Sequence, residues 1–139
     1  MLTAKPQASG RWAVGAAATS GSVSPGIGYY HSKFELGIDR AHYVYAAEDN
    51  LTILALWGGL GRSLSERLNL VYGVSVVNLF QGPKSDFKFS PYIGLDVTNL
   101  GSLPILIGAW INPVTIEMFD SQRPNWVIGF GSIKLAYLF

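Results

Sequence analysis

The chain has 139 residues, which is the length of one domain, and it contains no cysteine. Apolar residues make up 49% of it and charged residues only 14%, whereas roughly 25% is usual in soluble domains. The net charge of +1 provides no field that would attract nucleic acid, and the lack of Cys excludes disulfides, thiolate metal sites and a cysteine nucleophile. We therefore expect a single domain over residues 1–139, with fewer charged residues on its surface than a soluble domain has.

No stretch of the sequence predicts a transmembrane helix. The most apolar segment, 103–119, contains Pro104, Pro113 and Glu117, and it barely reaches the length of about 18 residues that a membrane-spanning helix needs. Residues 1–9 are polar, predict a flexible end, and lack the apolar segment of a signal peptide. Because exported proteins need such a peptide, we expect this chain to have the length of a mature protein.

The first half of the chain predicts four strands. Residues 11–19 form the first, and a loop follows over 20–26. Residues 27–39 are predicted as one strand and show the clearest alternation. One face carries Tyr30, Ser32, Phe34, Leu36 and Ile38, and the other carries His31, Lys33, Glu35 and Asp39. A tight turn over 39–41, a short strand over 42–47 and a loop over 48–50 follow. The fourth strand, 51–61, is apolar on both faces, so its pattern does not reveal which face is which.

The second half predicts four further strands. Two of them, 67–80 and 87–98, alternate cleanly between polar and apolar residues, and turns or loops are predicted over 62–66, 81–86, 99–102 and 120–125. The strand over 103–119 is expected to carry a bulge or bend at Asn112–Pro113, because proline cannot donate a hydrogen bond within a sheet. Residues 126–139 form the last strand.

Eight strands with polar and apolar residues on opposite faces predict an all-β fold, an up-and-down antiparallel transmembrane barrel. In hydrocarbon every backbone N–H and C=O must be paired, and only a closed sheet leaves no edge. An even number of strands places both termini at the same end of the barrel. Trp12 is then expected beside Tyr137 and Phe139, where aromatic side chains contribute to an interfacial girdle.

The two faces give two sets of candidate residues. The polar set is expected to line the lumen: His31, Lys33, Glu35, Asp39, Arg67, Asn69, Lys88, Asp96, Ser132 and Lys134. The apolar set is expected to face lipid: Tyr30, Phe34, Leu36, Leu68, Leu70, Tyr72, Phe89, Ile93, Leu95 and Leu135.

The last strand ends the chain with an apolar face made of Ile133, Leu135, Tyr137 and Phe139. It resembles the closing strand of bacterial outer-membrane β-barrels, in which a C-terminal Phe preceded by alternating apolar residues is the signal that the assembly machinery recognises. The small eight-stranded class of OmpX and the OmpA transmembrane domain is the most similar. The resemblance implies a bacterial outer-membrane location, with membrane lipid and the barrel assembly machinery as partners, and a monomer.

A barrel of eight strands is just wide enough for its interior to be filled by side chains. The lumenal charges of both signs are therefore expected to pair, with Glu35 and Lys134 as one candidate ion pair across the first strand. This predicts a plugged lumen and a structural or interaction role. Two alternatives stay open: a narrow channel for ions or small solutes, and a soluble lipocalin-like ligand-binding barrel, whose charged residues would lie outside.

The sequence does not predict an enzyme, a metal site or a cofactor. Some small outer-membrane barrels modify lipid A, but the deacylases among them carry a His-x-Ser spacing near the last strands, and here no His follows His42. Two His without a metal-ligand spacing do not predict a metal centre. The glycine clusters at 58–61 and 129–131 do not precede a helix with Lys-Ser/Thr, so no phosphate loop is expected.

Overall fold

The computed structural model describes residues 10–19, 22–44, 50–81, 84–118 and 125–139. Its eight strands are β1 Arg11–Thr19, β2 Ser22–Tyr30, β3 Phe34–Val44, β4 Asn50–Ser63, β5 Leu68–Gln81, β6 Lys84–Leu100, β7 Leu103–Met118 and β8 Asn125–Leu138.

Each strand pairs antiparallel with the next, and β1 pairs with β8, so that the sheet closes into a barrel. The predicted fold class, an all-β eight-stranded antiparallel barrel with up-and-down connections, is confirmed. The segments 1–9, 20–21, 45–49, 82–83 and 119–124, which hold the predicted flexible end and parts of four predicted loops, lie outside the described residues. Within the described part of the chain, no helix has the length and apolar character needed to span a membrane.

The prediction of one strand over 27–39 is wrong, because these residues form a hairpin. Tyr30 at the end of β2 pairs with Glu35 near the start of β3, and residues 31–33 make the turn. The turn is closed by a hydrogen bond of 2.9 Å from the His31 N–H to the Phe34 carbonyl oxygen. The turn predicted over 39–41 is also wrong, since β3 runs through it, and the second strand instead occupies much of the predicted loop over 20–26.

One end of the barrel, which we call the terminal end, carries the start of β1 and the end of β8. The Trp12 and Phe139 backbones exchange two hydrogen bonds there, of 3.2 and 2.9 Å. The two residues are therefore neighbours, as the sequence predicted. The turns over 31–33, 64–67 and 101–102 lie at the same end. Ser65 stabilises the second of these turns, because its Oγ accepts the Leu68 N–H at 3.2 Å.

A bulge interrupts β7 where the sequence predicted one. From Ile111 to Ile116 this strand advances five residues while its partner β6 advances four, from Phe89 to Ile93. The inward-facing side chain before the bulge is Asn112, and the next is that of Thr115. The bulge therefore shifts the alternation by one residue. Because of this shift, the polar residues that follow it, Thr115 and Glu117, point inward.

The polarity of the barrel is inverted relative to that of a water-soluble protein. The charged side chains of Glu35, Asp96 and Lys134 are 3%, 2% and 5% exposed, whereas their apolar strand neighbours lie on the outside. Leu135, next to Lys134, is 57% exposed. Exposed large apolar residues occur on all eight strands, including Val14, Ile27, Leu36, Leu56, Val74, Ile93, Ile107 and Ile133. The outer surface is thus a continuous apolar band.

Candidate functional site: the lumen

Lys134 occupies the centre of the barrel, between two tryptophan rings. Its ammonium nitrogen lies 3.3 Å from the ring centroid of Trp57 and 3.7 Å from that of Trp110. The Tyr30 ring is 5.5 Å away. Such short distances between a cation and aromatic faces are typical of cation–π interactions, which are strongest when the site is desolvated. The two tryptophans also contact each other edge to face, with centroids 5.3 Å apart.

Three carboxylates are held in place by aromatic side chains of the same cluster. Their donors are the Trp57 and Trp110 indole N–H groups and the Tyr92 hydroxyl. Trp57 Nε1 donates to Asp39 and Trp110 Nε1 donates to Asp96, each at 3.0 Å. The Tyr92 hydroxyl donates to Glu35 at 2.8 Å. Each acid therefore has one oxygen fixed by an aromatic donor. We call these eight residues the central cluster: Tyr30, Glu35, Asp39, Trp57, Tyr92, Asp96, Trp110 and Lys134.

The predicted ion pair between Glu35 and Lys134 is not formed. Among the described residues, the Lys134 ammonium nitrogen is the one enclosed side-chain nitrogen or oxygen that has no hydrogen-bond partner. The charges of Asp39, Glu35 and Asp96 nevertheless act on it from a distance. Lys134 therefore balances the three acids through space while its direct contacts are with aromatic rings.

Glycines on neighbouring strands make room for the large rings. A Cβ atom at Gly37 would clash with the Trp57 ring, and one at Gly94 would clash with the Trp110 ring. Because the interior of an eight-stranded barrel is narrow, a bulky ring from one strand requires a strand without a side chain opposite it. The glycines thus determine where the two tryptophans fit.

A second polar layer lies between the central cluster and the end of the barrel opposite to the terminal end. Lys88 and Glu117 form a salt bridge of 2.7 Å across β6 and β7. Next to them, the Ser90 and Thr115 hydroxyls share a hydrogen bond of 2.6 Å. The Asn112 amide donates to the Pro91 carbonyl oxygen at 3.3 Å. We call this the Lys88–Glu117 layer.

On the other side of the central cluster, a cavity of about 340 Å³ opens at the terminal end. The carboxylates of Glu35 and Asp96 line it, together with Asn69 and Thr98 from β5 and β6. Residues of the turns over 31–33 and 64–67 line it as well. Hydroxyl and amide side chains contribute to the walls, and so do apolar residues such as Leu106. We call this space the terminal cavity.

Seven of the ten residues predicted to line the lumen lie on inward-facing positions of the strands. They are Glu35, Asp39, Asn69, Lys88, Asp96, Ser132 and Lys134. Placing Lys33 and Arg67 there was wrong, since both are exposed residues of turns. His31 also belongs to a turn, where it is half-buried, stacks on Phe34 and reaches only the rim of the terminal cavity. In each case the predicted strand included residues that belong to a turn.

Tyr30 is the one residue of the predicted lipid-facing set that the structure places inside. It is buried against Trp57, with ring centroids 5.6 Å apart. The turn over 31–33 reverses the chain, so that even positions point outward in β3 but inward in β2. Of the other nine residues, Leu68 and Leu70 are half-buried. The remaining seven have exposed side chains: Phe34, Leu36, Tyr72, Phe89, Ile93, Leu95 and Leu135. The face of β8 formed by Ile133, Leu135, Tyr137 and Phe139 is exposed along its length.

Trp57 and Trp110 are central to the lumen, and the sequence did not single them out. Both lie in strands that are apolar on both faces, β4 and β7, where alternation carries no signal. The glycines on the polar faces of other strands are the feature of the sequence that could have indicated them. Glycines leave space in the lumen, and large side chains must fill that space. Among the described residues, no group of three or more potential ligand side chains is placed to hold a metal ion.

No protein-family model matches this chain, and no curated protein matches it. Among solved structures, the barrel is similar to the crystal structure of Ail, the attachment invasion locus protein of Yersinia pestis. The sequences are 12% identical, the match covers 94% of this chain and 95% of that one, and the TM-score is 0.45.

Proposed function

We propose that this protein is an integral β-barrel of a bacterial outer membrane, with a structural or interaction role and a lumen plugged by its own side chains. The observation that carries the proposal is the inverted polarity of the barrel. Charged residues such as Glu35 and Lys134 are enclosed, while leucines and isoleucines cover the outside. A water-soluble calyx of the lipocalin kind needs the opposite arrangement.

The apolar band supports a membrane location on energetic grounds. Soluble monomers rarely expose contiguous apolar patches larger than a few hundred Å², and here the exposed apolar side chains continue around all eight strands. Burial of such a band in lipid removes its apolar surface from water. Closure of the barrel leaves no strand edge with unpaired backbone N–H and C=O groups. Exposed Trp12, Tyr137 and Phe139 at the terminal end suit an interfacial aromatic girdle.

The central cluster supports a plugged lumen rather than an open pore. Trp57 and Trp110 contact each other across the middle of the barrel, and Lys134 fills the space between their faces. The Lys88–Glu117 layer adds a second constriction. We therefore propose that ions and small solutes do not pass, and that membrane lipid on the outer face and the barrel assembly machinery at β8 are the partners of the protein.

The membrane proposal is tested by folding the chain from urea into detergent micelles and phospholipid vesicles. We expect a β-rich circular dichroism spectrum and a folded band on a detergent gel that shifts only when the sample is boiled. In buffer without detergent or lipid the chain should precipitate. A soluble, folded monomer under these conditions would contradict the proposal and favour the calyx.

The plug is tested separately by planar-bilayer recording of the folded protein. We expect no conductance steps above the background of an empty bilayer. Reproducible single-channel steps would replace the plugged barrel with the narrow channel as the function, and they would leave the membrane location intact.

A further inference from the structure

We infer that the terminal cavity is a binding site for small organic cations that carry a primary ammonium group. The inference concerns the space between the central cluster and the turns over 31–33 and 64–67, and it holds whichever compartment that end faces. It does not require an open pore, since the ligand enters and leaves by the same mouth.

The cavity has the size of a ligand site. Its volume of about 340 Å³ lies within the roughly 300–1,000 Å³ usual for small-molecule pockets. Its walls are strands of a closed barrel together with residues of the turns over 31–33 and 64–67. Tyr30, which packs on Trp57, lines its inner end together with Glu35 and Asp96 of the central cluster.

The floor presents two buried carboxylates that are fixed in orientation. Glu35 and Asp96 are 3% and 2% exposed, and both line the cavity. The donors beneath them, the Tyr92 hydroxyl and the Trp110 indole N–H, each engage a single oxygen, Oε1 of Glu35 and Oδ1 of Asp96. A carboxylate has two oxygens and about four lone-pair positions. The two carboxyl groups also lie close enough to each other for a side-chain hydrogen bond. An ammonium on the cavity side can therefore bridge Glu35 and Asp96 through the lone pairs that the indole and hydroxyl donors leave open.

The cations of the protein do not take these acceptor positions. No Lys or Arg nitrogen of the described residues forms a salt bridge with Glu35 or Asp96, since the salt bridge found there joins Lys88 to Glu117. Lys134 is held against the tryptophan faces, and Arg11 donates at 3.0 Å to Asn99 at the rim. Three acids, Asp39, Glu35 and Asp96, act electrostatically on one ammonium. The central cluster thus carries an excess of carboxyl groups, and the excess faces the cavity.

A primary ammonium suits this floor because it offers three donors from a compact charge. The hydroxyl and amide groups of Ser63, Asn69 and Thr98 in the walls suit the polar body of a short ligand. Charge-assisted hydrogen bonds are about twice as strong as neutral ones, so the ammonium is expected to decide the affinity.

The experiment is isothermal titration of 1,4-diaminobutane into the folded barrel in neutral detergent micelles. Its neutral isostere 1,4-butanediol is titrated under the same conditions. We expect saturable binding of the diamine at one site and at least about tenfold weaker binding of the diol, the difference that a hydrogen bond to a charged group makes. Trp110 donates to Asp96, so its fluorescence should change on binding of the diamine as a second readout.

Two variants and a matched control locate the site. Glu35→Gln and Asp96→Asn are each expected to weaken diamine binding about tenfold or more. Glu117→Gln removes a buried carboxylate from the Lys88–Glu117 layer, away from the cavity, and should bind as the parent does. Asn69→Phe narrows the cavity without changing the acids and should abolish binding. Folding of each variant is checked by the boiling-dependent gel shift.

The outcomes separate clearly. Equal binding of the diamine and the diol, or no binding of either, would overturn the inference. So would diamine binding that Glu117→Gln weakens as much as Asp96→Asn does. None of these results bears on the membrane proposal, which gel shift and vesicle folding test independently.

Discussion

The ammonium nitrogen of Lys134 lies 3.3 Å from the centroid of the Trp57 ring and makes no hydrogen bond in the described part of the chain. A buried ammonium is costly unless something compensates for the water it loses. Here the compensation comes from two ring faces and from the charges of three carboxylates on other strands. Lys134 thus joins the strands of the barrel through its interior without a direct ion pair.

This arrangement leads to a test of stability with two lysines. We expect Lys134→Met to lower the free energy of unfolding by about 3–5 kcal/mol, because it leaves three lumenal carboxyl groups, two of them buried, without their cation. Lys33→Met, in the exposed turn, should change it by no more than about 0.5 kcal/mol. Urea unfolding of both variants in phospholipid vesicles, followed by tryptophan fluorescence, measures the difference. Equal stability of the two variants would show that Lys134 does not balance the acids.

A second pair of substitutions tests whether glycine makes the space for Trp57. A Cβ at Gly37 would clash with the Trp57 ring, whereas at Gly58, opposite Leu36 on the adjacent strand, the nearest atom would be 3.6 Å away. We expect Gly37→Ala to destabilise the barrel by about 1–3 kcal/mol through overpacking.

Gly58→Ala is the control, and its effect should stay within about 0.5 kcal/mol of zero. The same vesicle unfolding measurement serves for both variants. A tolerated Gly37→Ala would mean that the Trp57 ring moves easily, and the rigid packing of the central cluster would then be wrong.

The sequence was sufficient for the barrel, because an apolar outer face and a polar lumen impose strict alternation. In 87–98, phenylalanine and isoleucine occupy the odd positions and Lys88 and Asp96 occupy even ones, so the faces of β6 could be read directly. The bulge in β7 could also be predicted, since Pro113 cannot donate in a ladder.

The hairpin at 31–33 was missed for a physical reason. Its turn is His-Ser-Lys, in which Ser32 is the one common turn residue and the stronger signals Gly, Pro, Asn and Asp are absent. Tyr29 and Tyr30 are consecutive amphipathic residues, and Gly28 has no side chain, so β2 hardly shows its own alternation. The pattern of β3 therefore continues in the sequence back through the turn, and this continuation predicts Tyr30 outside and Lys33 inside.

The composition of the central cluster could not be derived from alternation. Trp57 in β4 and Trp110 in β7 have apolar neighbours on both sides, and their inward direction follows only from the strand register. Ion pairs were expected to stabilise the lumenal charges. In the structure, aromatic ring faces stabilise the Lys134 charge instead. Which of these two arrangements forms depends on distances that emerge only when all eight strands close.

Removal of the two rings is expected to open the lumen. Trp57→Ala combined with Trp110→Ala deletes the side chains that meet at 5.3 Å in the middle of the barrel. In planar bilayers the parent should be silent and the double variant should give conductance steps that are selective for cations, because three carboxylates remain around the gap. Trp12→Ala, which alters an exposed tryptophan, is the control and should be silent. A folded double variant without conductance would show that the Lys88–Glu117 layer closes the lumen by itself, and the assignment of the plug to the two rings would then be wrong.

The lipid-facing direction of β8 is tested by introducing the same charge at two exposed leucines. Leu135 is 57% exposed on the apolar band, and Leu64 is 54% exposed in the turn at the terminal end. An arginine that faces hydrocarbon near the bilayer midplane costs about 2–4 kcal/mol, and near the interface it costs only about 0–1 kcal/mol. We therefore expect Leu135→Arg to be much less stable than Leu64→Arg in phospholipid vesicles, as measured by urea unfolding. If both variants are equally stable in vesicles, Leu135 does not face lipid and the band around the barrel is not a membrane surface.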